Sequence, residues 1–134
     1  MSTIKTNTLS GTTSAGSIVV TGEGGSTTTN LQQGLAKGWG HYEGSDETLD
    51  DSFNMASVTD GGSAGVYSPQ FTNNMANTNY VVNCNFDSSI SSSNQTEASI
   101  DTYAAGSFKI TIRDGGSTVD KDDIVFSVHG DLAE

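Results

Sequence analysis

The sequence predicts an all-β protein: an antiparallel β-sandwich of jelly-roll-like layout, with about six to eight strands, an extended N-terminal arm and one short helix. Three observations carry that expectation. Ser (19), Thr (17), Gly (16) and Asn (10) make up nearly half of the 134 residues, and all four are poor helix formers. The β-branched and aromatic residues fall in short clusters that alternate with polar residues and are punctuated by Gly, Asn and Asp. Charge also divides the chain near Gly38: residues 1–38 carry two basic residues and one acidic, whereas residues 39–134 carry three basic and fifteen acidic.

Residues 1–38 are low in complexity, and Ile18-Val-Val20 is their one concentrated apolar stretch. So polar a segment cannot offset its own ordering entropy. Ile4, Leu9, Ile18, Val19 and Val20 are nevertheless too apolar and β-prone for a free linker, which predicts an arm ordered by packing on other subunits. A short helix is expected near 30–37. Thr29 or Asn30 would cap it, Gly38 would end it, and Leu31 and Leu35 would stand at i and i+4. Two turns interrupted by Gly34 are marginal alone, so these leucines are expected to meet their copies around a trimer axis.

Residues 39–134 form the expected sandwich. Trp39–Glu43 reads as its first strand, and Asp51–Val58 as one strand with Phe53 and Met55 on one face. In Gly65–Phe71, Pro69 suggests an edge strand. Asn79–Phe86 turns Tyr80, Val82, Cys84 and Phe86 one way, with Asn83 and Asn85 on the other. Phe108, Ile110 and Ile112 point inward from Ser107–Arg113, as do Ile124, Phe126 and Val128 from Asp123–His129. Asp60-Gly-Gly-Ser63 and Asp114-Gly-Gly-Ser117 read as turns, because Gly tolerates positive φ. Ser88–Thr96 reads as a long exposed loop.

Function classes narrow next. A net charge of −11 with five scattered basic residues disfavours nucleic acid, whose binding draws on clustered Lys and Arg. No apolar run approaches a membrane-spanning helix, so no membrane insertion is expected. A lone Cys84 excludes an intramolecular disulfide, and it reads as a small core residue. The N-terminus lacks the apolar core of a signal peptide, which points to assembly in a cytoplasm. No catalytic residue stands out. His41 and His129 read as strand-surface side chains, with metal binding as the competing role, and there is no nucleophile elbow, paired zinc motif or phosphate loop. No cofactor is expected apart from a weak calcium candidate, the acidic loop holding Asp114, Asp120, Asp122 and Asp123. Trp39, Tyr42, Tyr67 and Tyr103 are candidate ligand contacts, being the aromatic material of adhesive surfaces.

Leu31-Gln-Gln-Gly-Leu-Ala-Lys-Gly-Trp39, Leu49-Asp-Asp-Ser-Phe-Asn-Met-Ala-Ser-Val-Thr-Asp60, Val128-His-Gly-Asp-Leu-Ala133 and the opening Ser2-Thr-Ile-Lys-Thr-Asn-Thr-Leu9 together resemble tail-fibre-like virion proteins of marine tailed bacteriophages, including those of cyanobacteria. The resemblance implies a non-enzymatic particle component, a β-rich knob or short fibre that is often trimeric. It would dock on other virion proteins through residues 1–38 and be exposed to a host surface glycan or protein. The alternative is a capsid decoration protein or head fibre without host binding. The chain departs from that family at Gly40-His-Tyr-Glu-Gly-Ser-Asp-Glu47, where an apolar strand and an Asn-Gly-type turn are usual.

Overall fold

The computed structural model describes residues 3–14, 17–22, 24–86 and 96–133, so most of the serine-rich stretch read as a loop, residues 88–95, lies outside the described residues. The chain divides into two units, Met1–Leu35 and Ala36–Glu134, a boundary three residues before Gly38.

In the first unit the β-prone run Val19–Thr21 forms β1 and pairs antiparallel with Thr28–Asn30, β2, with Val19 opposite Asn30. The hairpin closes where Gly22 N–H donates to Thr27 O at 2.8 Å, and Gly25 supplies a positive φ of 74°. The arm is therefore not simply extended. Asn30 then caps a single helical turn, α1 (Leu31–Gly34), its side chain accepting from Gln33 N–H at 3.2 Å. The helix is shorter than 30–37. Gly34 carries a large entropic cost in a helix, and the chain turns extended at Leu35, so Gly38 opens a strand instead of ending the helix. Leu31 is half-buried, and its N–H donates to Ile18 O at 2.8 Å. Ile4 (85%), Leu9 (57%), Val19 (57%) and Val20 (50%) stay largely exposed.

The second unit is the sandwich. A four-stranded sheet has the order β4 (Thr48–Phe53), β3 (Gly38–Glu43), β11 (Ile124–His129), β7 (Val81–Asn85). The facing sheet runs β5 (Met55–Asp60), β6 (Val66–Phe71), β9 (Ser107–Asp114), with β8 (Thr96–Ala104) on the far side of β9 and the two-residue β10 (Ser117–Thr118) also paired to it. All pairings are antiparallel. Within these sheets the consecutive strands β3–β4, β5–β6 and β8–β9 pair directly. Asp114–Ser117 is a two-residue hairpin with φ positive at both Gly115 and Gly116, the type I′ geometry that matches strand twist. Asp60–Ser63 opens the β5–β6 loop, as expected, with Asp60 Oδ1 accepting from Gly62 N–H.

The core forms from alternate residues of both layers. Tyr42, Ile124, Phe126 and Val128 come from one sheet, and Met55, Tyr67, Phe71, Phe108, Ile110 and Ile112 from the other, joined by Met75 and Tyr80 from the β6–β7 connection. Phe108 lies at the aromatic centre, with ring centroids 5.5 Å from Phe126 and 5.7 Å from Phe71. Gly40 stands opposite Phe126 in register, and a Cβ there would come within 2.6 Å of that ring. Only glycine lets β3 approach so closely. Cys84 is half-buried on the inner side of β7, and burial pushes its thiol up to about 11.

Two strand expectations are corrected, and one strand is added. Asp51–Val58 is not one strand: at Asn54, with φ 58°, the chain leaves one sheet for the other. Phe53 consequently ends exposed (51%) while Met55 is buried. β6 is an interior strand despite Pro69. Its ladder to β9 has partners at Val66, Tyr67 and Gln70 but skips Ser68 and Pro69, so the proline falls in an interruption. The nine-residue β8 went unread because only Ala98 and Ile100 alternate as core contacts within it.

Candidate functional site

Strand β3 carries a chemically loaded surface. Along β3, Gly38, Gly40 and Tyr42 are buried, so period-two alternation turns Trp39, His41 and Glu43 to the outer face of the four-stranded sheet. Register sets their neighbours. Trp39 lies between Phe53 on β4 and Ser127 on β11, and His41 between Asp51 and Val125. Ser127 and Val125 in turn face Asn83 and Asn85 of β7, and these four residues with Phe126 line a shallow depression of 260 Å³. Trp39 (38%), Phe53 (51%) and Val125 (42%) leave an aromatic-to-polar band exposed.

At one end of this face three donor side chains converge. Because Ile124 pairs with Tyr42, the preceding Asp123 arrives beside Glu43, and its positive φ of 50° marks the turn into β11. His41 Nε2 lies 2.9 Å from Asp123 Oδ1 and 3.4 Å from Glu43 Oε1. Asp123 N–H donates to the other Glu43 oxygen at 3.4 Å, which holds that carboxylate in orientation. Among the described residues this is the group of three whose donor atoms, all within 4.8 Å of one another, could hold one metal ion. An imidazole beside two carboxylates can bind a cation.

The calcium loop read from the sequence does not assemble. Asp120 accepts from Gly65 N–H at 2.6 Å and from the Tyr67 hydroxyl at 3.1 Å. Asp122 accepts from Ser45 N–H, and hydrogen bonding from the Ser45 hydroxyl, followed by that amide, holds its carboxyl below the usual range. Asp123 goes to His41, and Asp114 begins the β9–β10 hairpin with one oxygen buried and unpartnered. Asp120, Asp122 and Asp123 thus face three different neighbours, and no three of the four carboxylates converge among the described residues.

The aromatic candidates also separate. Tyr42 (1%) and Tyr67 (0%) are core residues, packed edge-on at 5.4 Å, and cannot touch a ligand at the surface. Inward alternation on β3 and β6 decides this. Trp39 and Tyr103 are each 38% exposed but belong to different sheets, and Tyr103 packs at 5.1 Å on Tyr80. Sequence reasoning missed Phe53 as a surface aromatic because it placed Phe53 and Met55 on one strand.

The two buried tyrosines predict opposite outcomes. The Tyr67 hydroxyl donates to Asp120 and accepts from Lys121 N–H at 3.2 Å, whereas the buried Tyr42 hydroxyl has no partner among the described residues. Tyr67→Phe should cost about 1–2 kcal/mol in urea denaturation, since it strands a carboxylate and an amide, while Tyr42→Phe should be neutral or stabilising. Equal losses in both would refute the assignment.

These features define an all-β sandwich with a metal-competent cluster and an exposed aromatic band on one outer face. No family model, curated protein or solved structure matches the chain.

Proposed function

We propose that the chain is a non-enzymatic structural protein of a bacteriophage particle, with residues 1–35 as its docking arm and the sandwich as an exposed knob. The observation that carries this reading is the contrast between the units. Ile4, Leu9, Val19 and Val20 are all at least 50% exposed in a unit that contributes nothing to the buried core. Apolar β-prone side chains left on the surface of so small a unit suit burial against another chain. The second unit closes its own core and holds all but one of the sixteen acidic residues, which suits exposure to water. The resemblance of the four short motifs to tail-fibre-like proteins supplies the kind of particle. Trp39, Phe53 and the neighbouring Asn83 and Asn85 offer aromatic and amide groups of the kind that hold a host glycan or protein.

Deletion of residues 1–35 is expected to leave a soluble, cooperatively folding sandwich that no longer enters particles. Normal incorporation of the truncated chain would reject the docking arm. The arm is also proposed to hold a homotrimer, and Leu31→Asp with Leu35→Asp should shift sedimentation toward a folded monomer. An unchanged oligomer would reject that seam. Capsid decoration remains the alternative placement, separated by copy number: many copies over the head against a few at the tail.

A further inference from the structure

We propose that His41, Glu43 and Asp123 form a binding site for one divalent transition-metal ion of the zinc class on the outer face of the four-stranded sheet. The donor set sets the chemistry. One imidazole nitrogen and two carboxylates suit zinc and its neighbours, whereas calcium takes six to eight oxygens and gains nothing from imidazole.

The spacing supports the same conclusion. A tetrahedral ion with bonds of about 2.0–2.2 Å keeps its ligand atoms roughly 3.3–3.5 Å apart. His41 Nε2 already lies 3.4 Å from Glu43 Oε1 and 2.9 Å from Asp123 Oδ1, so small rotations would admit the ion. The ligands also come from two fixed elements. His41 and Glu43 sit at i and i+2 on one face of β3, and Asp123 is delivered by the antiparallel register of β11. The Asp123 amide engages Glu43 Oε2, which leaves Oε1 for the metal, as an outer hydrogen bond does in metal centres generally.

Charge favours a dication. Two carboxylates at one point, in a chain of net charge −11 and with Asp51 opposite His41 in register, repel one another. A dication offsets both of these charges. The side chains of His41, Glu43 and Asp123 are 37%, 24% and 58% exposed, so water can reach the remaining coordination position.

The test uses the full chain, untagged and stripped with chelator, titrated with zinc ion by calorimetry. One saturable equivalent is expected, weakened at least about tenfold in His41→Ala and in Asp123→Asn and unchanged in His129→Ala. Nuclear magnetic resonance on the unaltered chain avoids any folding defect of the variants: zinc should move the imidazole resonances of His41 and spare those of His129. Unmoved His41 resonances, or equal affinity in His41→Ala, would overturn the site. Calcium competing on equal terms would overturn its assignment to a transition metal.

Discussion

Phe108→Ala is expected to destabilise the sandwich by about 3–5 kcal/mol, the range for removing a large buried aromatic. Phe108 is 1% exposed, and its ring meets Phe71, Tyr80 and Phe126, so it touches both layers. Truncation removes the apolar transfer energy and leaves a cavity that two hydrogen-bonded sheets cannot close. A small domain has only about 5–15 kcal/mol to lose, and the thermal midpoint should fall by about 15 °C or more. A calorimetric midpoint within a few degrees of the parent would mean that the aromatic centre is not the core.

The second large effect belongs to a polar residue. Asn54 adopts φ 58° where the chain passes from β4 to β5. Its side-chain amide donates to Lys37 O at 2.8 Å and Asn73 O at 3.0 Å, and its oxygen accepts from Asn73 N–H at 2.7 Å. One side chain thus ties the start of β3 and the chain after β6 to the corner between sheets. Asn54→Ala loses the bonds and adds about 1–2 kcal/mol for a left-handed backbone with a Cβ and no local hydrogen bonding. With roughly 1 kcal/mol per bond, about 3 kcal/mol or more is expected. Asn54→Gly keeps the backbone conformation and loses only the bonds, so it should cost less. Urea denaturation of the pair separates the two contributions, and a glycine variant no better than alanine would remove backbone conformation from the explanation.

Much of the fold was legible because its signals are local. The runs Phe108-Lys-Ile-Thr-Ile112 and Ile124-Val-Phe-Ser-Val128 alternate strictly, and both became central strands with the inward residues expected. The two Asp-Gly-Gly-Ser turns were legible for the same reason, since positive φ at Gly115 and Gly116 is a property of a few consecutive residues. Asn54 misled because nothing in Asp51-Ser-Phe-Asn-Met-Ala-Ser-Val58 interrupts a strand: asparagine is common in strands and turns alike, and its left-handed conformation is held by Lys37 and Asn73. Pro69 misled because an interior ladder can carry a local gap that only the paired strand reveals.

The candidate site divides along the same line. The sequence alone determined the all-β class, the acidic second unit, the apolar arm residues, and His41 as a surface side chain on the strand that also holds Glu43, since these signals are local. Only the tertiary structure decided that Asp123, eighty residues beyond Glu43, is their third partner, that Tyr42 and Tyr67 are core residues, and that Asp114, Asp120 and Asp122 go elsewhere. The physical reason is register: a ladder of backbone hydrogen bonds places Ile124 against Tyr42. That pairing is chosen by the joint fit of both sheets around Phe108 and Phe126, a property of the packed molecule that no window of sequence contains.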